Sequence, residues 1–154
     1  MTTPIAFVES YRTHEFYLDI DLIPSPGITK VSGLTDGEVD AIEQPDGGSP
    51  FVHKIPSTII KYGDITLERH MDGTDTDAKF KEWFQTMFLA NGSGTAATIR
   101  KNGSIVKLQF GQEVMRFAFE GAWIKSSKFA DFDAKSDGLL TQTVVLAVER
   151  MHRE

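Results

Sequence analysis

The run VMRFAFEGAWIKSSKF, residues 114–129, decides how the rest of the chain is read. Phe117, Phe119, Gly121 and Trp123 alternate with Arg116, Ala118, Glu120, Ala122 and Ile124. A period of two with aromatic residues on one side predicts a strand with one buried face. Just before it, ATIRKNGSIVKLQF (97–110) carries Asn102-Gly103, the strongest short-range signal for a two-residue hairpin turn. Just after it, DFDAKSDG (131–138) reads as a loop. LLTQTVVLAVERM (139–151) then reads as the last strand, with Leu140, Val144, Leu146 and Val148 on one face and Thr141, Thr143, Ala147 and Glu149 on the other.

Upstream, DTDAKFKEWFQTMFLANGSG (75–94) breaks the strand pattern. Phe80, Trp83, Phe84, Met87 and Phe88 fall at helical spacing and define one apolar face. Thr74 or Asp75 suits the N-cap, Asp75 and Asp77 suit the positive end of the helix dipole, and NGSG at 91–94 ends the helix. Such a face must lie against a sheet. Further upstream, Phe16, Leu18 and Ile20 alternate with Tyr17, Asp19 and Asp21 in a first strand. A turn at 25–27 leads to ITKVSGL, interrupted at Gly33, and then to EVDAIE. STIIKYGDITLERH (57–70) reads as one long strand bent near Gly63, with Glu68 and Arg69 on a solvated or interface-facing side. Residues 1–13 read as an arm. The expectation is a mainly β single domain over 1–154: a β-barrel-like double antiparallel sheet with one flanking α-helix.

Composition narrows the chemistry. Of 154 residues, 40% are apolar and 25% charged, enough for a real core. The absence of cysteine removes disulfides, thiol chemistry and Cys-based zinc sites. The net charge of −6 and the lack of a basic stripe argue against sequence-specific nucleic-acid binding and against anionic membranes. No run approaches a membrane span of about 18 apolar residues, and the first residues lack the basic and apolar regions of a signal peptide. A cytosolic protein fits this pattern, and any action outside the cell is expected to use a route other than a cleaved signal.

Catalytic patterns are missing. His14, His53, His70 and His152 lack ligand spacing, and Asp72, Asp75 and Asp77 do not match the calcium loop. NGSG ends a helix and has no Walker lysine, and there is no G-x-S-x-G elbow. No catalytic residue, cofactor or metal is expected, and an enzyme is the least favoured class.

One stretch resists a bland reading. In VDAIEQPDGGSPFVHKIPS (39–57) the breakers Pro45, Asp46, Gly47, Gly48, Ser49 and Pro50 are followed at once by Phe51, Val52 and Ile55, and closed by Pro56. Large apolar side chains on a protruding loop usually mark an interface.

The order of these pieces is similar to that of the tail tube proteins of contractile phages and the inner-tube proteins of contractile injection systems. The likeness rests on F-x-L-x-I, VSGL followed by IE, the Gly-rich loop, ITLER, F-x-x-W-F, the hairpin, AWI-K, DFDAKS and TQTVVLAVERM, and it runs from Phe16 to Met151. It implies hexameric rings that stack into a hollow tube inside a contractile sheath, baseplate or tube-initiator partners, DNA or protein cargo in the lumen, and kinship with the type VI secretion tube. It also implies that 44–57 reaches onto neighbouring subunits. Gln44, Pro45, Gly47, Gly48, Phe51, Val52, Ile55 and Pro56 are then candidate interface residues, the alternative being that the loop folds back over its own barrel mouth. Asp131, Phe132 and Asp133, with the arm at 1–13, are candidates for contacts between rings, and parts of 58–69 and 139–150 for the lumen wall. Two rivals are a tube-initiator or baseplate adaptor of the same fold and a small-ligand-binding β-barrel.

Overall fold

The computed structural model describes residues 9–20, 28–71, 73, 75–86, 99–135 and 137–154. The expected turn at 25–27, the N-cap Thr74, Asp72, the helix positions Met87 and Phe88, the stop at 91–94 and the first eight residues of the arm lie outside them.

The described chain forms nine strands and one helix. They are β1 Phe16–Ile20, β2 Ile28–Ser32, β3 Glu38–Pro45, β4 Val52–Lys61, β5 Ile65–His70, α1 Asp75–Gln85, β6 Lys101–Gln109, β7 Gln112–Phe129, β8 Thr141–Ala147 and β9 Arg150–Arg153. Seven strands make one antiparallel sheet in the order β1-β6-β7-β8-β5-β2, with β9 on β7, while β3 and β4 pair only with each other. Among the described residues the path ends at β1 and β2, which do not pair, and the sheet does not close.

Strand β7 organises the sheet. Its first half pairs with β6 and β9 and its second half with β8. The change happens at Gly121, whose φ is 67° and whose N–H donates to Asn102 Oδ1 at 3.0 Å. A bulge of this kind bends the strand and shifts its facing by one residue. Phe119 is buried before it, and Ala122 and Ile124 after it. Uninterrupted alternation is therefore wrong here, and Trp123 is only half-buried. The bend turns the two halves of the sheet onto a common core. Leu18, Ile20, Ile105, Phe119 and Met151 come from one half, and Ile65, Leu67, Ile124, Val144 and Leu146 from the other.

The Asn-Gly hairpin is also overturned. Asn102 and Gly103 lie inside β6, where Gly103 faces Phe119 and Ile20. A Cβ on Gly103 would sit 2.6 Å from the Asp19 carbonyl oxygen and 2.8 Å from Phe119 Cζ. The turn falls instead at Phe110-Gly111, with φ of 51° and 77°. Two successive left-handed residues are what a type I′ hairpin requires. Two long strands divide as well: 57–70 into β4 and β5, and 139–151 into β8 and β9, which step from one half of β7 to the other.

Helix α1 lies against β7. Phe80 and Trp83 are buried in the core cluster and Phe84 packs at its margin. Trp83 Nε1–H donates to the Ile99 carbonyl at 2.6 Å, which satisfies its one polar atom. Asp77 at the helix start accepts from Gly73 N–H at 2.7 Å through Oδ2 and forms an ion pair with Arg69 through Oδ1. Arg69, expected on an exposed side, is fully buried. Its Nη1 also donates to Gln142 Oε1 at 3.0 Å, and its guanidinium lies 5.5 Å from the Phe80 ring centre.

A candidate assembly surface

The β3–β4 hairpin leaves the sheet between β2 and β5 and pairs with none of its strands. Every residue of β3 is exposed, and all of β4 except the half-buried Ser57. Its register runs from Glu38 opposite Lys61 to Pro45 opposite Val52. Between the pairs Val39–Ile60 and Ala41–Pro56 only Asp40 lies on one strand, whereas Ser57, Thr58 and Ile59 lie on the other. This wide bulge twists the hairpin near its root.

Residues directly opposite share a face, and the faces differ. One carries Val39 with Ile60, Ala41 with Pro56 and Pro45 with Val52, interrupted by the Glu43–Lys54 pair. The other carries Ile42 with Ile55 and Gln44 with His53. Lys61 Nζ donates to Asp40 Oδ2 at 2.6 Å, and that hydrogen bond raises the ammonium pKa above its ordinary value. The tip is closed by its own polar groups. Ser49 N–H donates to the Asp46 carbonyl at 3.0 Å, Gly48 N–H to Asp46 Oδ1 at 3.2 Å and Phe51 N–H to Ser49 Oγ at 3.1 Å.

All the loop residues singled out by sequence thus stand on this one hairpin: Gln44, Pro45, Val52, Ile55 and Pro56 in its paired arms, and Gly47, Gly48 and Phe51 at its tip. Phe51 is 73% exposed. Sequence reasoning missed Val39, Ile42, Ile59 and Ile60, which extend the exposed apolar surface along both arms. The signal was present in Pro45 and Pro56, since proline inside a strand marks an edge without a ladder partner.

Asp131, Phe132 and Asp133 lie elsewhere, in the loop between β7 and β8. Strand β5 starts beside the root of the hairpin and ends beside this loop, where Met71 N–H donates to the Leu140 carbonyl at 2.9 Å. The two candidate surfaces therefore sit at opposite ends of β5. Phe132 is 85% exposed, with Phe129 and Leu139 exposed nearby, and the loop frames an open hollow of about 530 Å3. Asp133 Oδ1 accepts from Lys135 N–H at 3.0 Å and holds the turn.

From the arm, residues 9–13 lead in beside the β6–β7 turn. Arg12 pairs with Glu9 at 2.5 Å and places its guanidinium 4.8 Å from the Phe110 ring centre. Among the described residues no group of three His, Asp or Glu side chains is placed to hold a metal, and no helix is long and apolar enough to cross a membrane.

The profile of the T4-like virus tail tube protein gp19 family matches residues 12–152. No curated protein matches the chain. Among solved structures, a chain in the structure of the anti-feeding prophage cap, a tube-terminating cap, is 21% identical with a TM-score of 0.79, over 99% of this chain and 95% of that one. The sheath/tube terminator of the extracellular contractile injection system PVC, in its extended state, is 20% identical with a TM-score of 0.79, over 97% and 99% of the two chains. The PVC sheath–tube complex is 20% identical with a TM-score of 0.74, over 94% and 91%. At these identities the likeness is one of fold.

Proposed function

The chain belongs to the T4-like virus tail tube protein family, and from that premise we propose that it forms the wall of a hollow tube in a contractile tail or injection particle. In this reading the chain is a single domain, six copies close a ring, and rings stack. The open sheet completes a barrel-like wall only when neighbours meet its free edges. A sheath surrounds the tube, a baseplate or initiator starts it, and DNA or protein cargo passes through the lumen. The role is mechanical, without catalysis or cofactor. Assembly takes place in the cytoplasm, and release occurs within the particle.

The observation that carries this reading is the β3–β4 hairpin. Val39, Ile42, Phe51, Val52, Ile55, Ile59 and Ile60 are all large, apolar and exposed on one projecting ladder. Large apolar side chains exposed on both faces of a projecting hairpin mark an interaction surface. We assign that partner to neighbouring copies, with Gln44, Pro45, Gly47, Gly48, Phe51, Val52, Ile55 and Pro56 in the contact, and Asp131, Phe132 and Asp133 in a separate contact between rings. A small-ligand barrel fits less well, because the space between the two sheet halves is filled by Leu18, Ile65, Leu67, Phe119, Val144 and Leu146.

A second reading, a terminal cap of the tube, is prompted by the presence of this fold in the structures of two tube-terminating assemblies. It is separated from the first by whether the chain polymerises. Negative-stain microscopy of the purified chain is expected to show rings or hollow tubes, whereas discrete single rings at every concentration favour the cap. Replacing 44–57 by a short Gly-Ser linker is expected to leave far-UV circular dichroism unchanged and to abolish assembly. Tubes formed by that variant would defeat the hairpin assignment.

A further inference from the structure

The free edges at β1 and β2 flank an apolar cleft of about 310 Å3. Its walls are Phe16, Val31, Leu34, Ile105, Met115 and Phe117. Two cations also line it, Lys107 and Arg12, the latter with Glu9 beside it. Lys107 is fixed there, donating to the carbonyl oxygens of Leu108 and of His14, the latter at 2.6 Å. The cleft is at the small end of the range for ligand pockets, about 300–1,000 Å3. It suits a single large side chain better than a metabolite.

The same chain carries a side chain of matching chemistry at its other end. Phe132 is 85% exposed and stands between the exposed carboxylates Asp131 and Asp133. An aromatic ring between two anions complements an apolar cleft lined by two cations. The other exposed aromatics at loop tips lack that charge match: Phe51 is flanked by Pro50 and Val52, and Phe110 by Gln109 and Gly111. Charge therefore selects Phe132.

Geometry then selects the copy. Met115, in the cleft, lies near the start of β7, and Phe129, at the base of the loop, is its last residue. The intervening strand runs to roughly 45 Å at about 3.3 Å per residue. Even bent at Gly121, a continuous hydrogen-bonded strand holds its own loop away from its own cleft.

We propose that Phe132 of one copy plugs the β1/β2 cleft of the next, with Asp131 and Asp133 facing Arg12 and Lys107. This contact deepens the tube reading and rests on it. It is heterologous, joining the two ends of the molecule, and a contact of that class propagates into an open stack without closing on itself. It also covers the gap between the two unpaired sheet edges.

The lack of cysteine makes the test clean. Phe132→Cys is combined with Met115→Cys in one chain, and assembled particles are bridged with a short bis-maleimide. Covalent ladders on a denaturing gel are the expected result, with dimers only when the two single variants are mixed. Phe51→Cys with Met115→Cys serves as the comparison pair and is expected to give no ladder. A bridge closed within one chain, a ladder from the Phe51 pair alone, or particles without any ladder would each overturn the proposal. The last of these leaves the tube reading intact, whereas failure of the unmodified chain to assemble overturns both.

A charge-swap variant covers the case in which the cysteine pair disturbs folding. Asp131→Arg with Asp133→Arg is expected to lose stacking, and adding Arg12→Glu to restore part of it, since Lys107 keeps its charge. Folded protein that stacks unchanged with both arginines in place would overturn the contact.

Discussion

Replacing Asp77 by Ala should be among the most damaging single changes outside the aliphatic core. Arg69 is 0% exposed and the Asp77 side chain only 15%. The guanidinium also uses Gln142 at 3.0 Å and the face of Phe80, and Asp77 is a carboxylate paired with it. Removing one member of a buried pair takes away a charged partner that the desolvated guanidinium relies on, at a cost of up to about 3–5 kcal/mol. The Gly73 N–H loses its side-chain acceptor at the same time, so about 1 kcal/mol of helix-start stabilisation is lost as well. For a chain of this size each kcal/mol moves the melting midpoint by about 2–4 °C. The expected drop is therefore on the order of 10–20 °C in dilute, unassembled protein. The assay is thermal and urea unfolding followed by circular dichroism. The companion variant is Arg69→Met with Asp77→Leu, which removes both charges and keeps apolar volume. It should recover most of the loss, because apolar replacement of a whole buried pair is often neutral or better. A loss below about 1 kcal/mol for Asp77→Ala would show that the pair is solvated. A double variant as unstable as the single one would show that the cost is packing, not charge.

Two further changes probe the corners of the sheet. Gly103→Ala would ordinarily gain roughly 0.5–1 kcal/mol in an extended strand, but its Cβ meets the Asp19 carbonyl at 2.6 Å and Phe119 Cζ at 2.8 Å. Overpacking of this kind costs about 1–3 kcal/mol, so the melting midpoint should fall, and a midpoint at or above that of the parent would refute the close approach. Phe110→Asn relieves part of a left-handed strain of about 1–2 kcal/mol while losing an exposed cation–π contact with Arg12 of about 0.5–1 kcal/mol. The terms nearly cancel, so global stability should hold while trypsin cleaves after Arg12 faster; an unchanged cleavage rate would mean that the ring does not hold the arm.

Periodicity reached the residues whose role is local. Leu18 and Ile20 in β1, Leu67 in β5, Val144 and Leu146 in β8, and Phe80 and Trp83 in α1 are buried as their spacing requires. It failed wherever one residue answers to a distant one. Asn102-Gly103 has the composition of a turn, yet Gly103 is small because β1 and Phe119 approach it, and Asn102 is polar because its side chain accepts from Gly121. Gly121 in turn reverses the inward face of β7, which no alternation count within the strand reveals. Arg69 reads as a surface charge until Asp77, Gln142 and Phe80 are brought around it. At the assembly surface, Phe51, Val52 and Ile55 stood out because breakers precede them. Val39, Ile42, Ile59 and Ile60 did not, since an apolar strand residue reads as core until its ladder is known to stand alone.

The same hairpin limits how it can be recognised. Both its strands are edges, as are β1 and β2, and bare edges invite indiscriminate pairing with other chains. Pro45 lies within β3 and Pro56 within β4, and each removes an N–H donor from its strand. The wide bulge between Asp40 and Ser57–Ile59 further spoils a regular ladder. A partner that simply added a strand would meet missing donors and a twisted edge. A partner offering shaped apolar surface would meet Val39, Ile60, Val52 and the two prolines on one face, with the Glu43–Lys54 pair to set the register. Side-chain docking therefore suits the hairpin better than backbone pairing. Under the proposed tube reading, that would leave strand-to-strand closure to β1 and β2, whose edges carry no proline, and would separate completing the wall from gripping the neighbour.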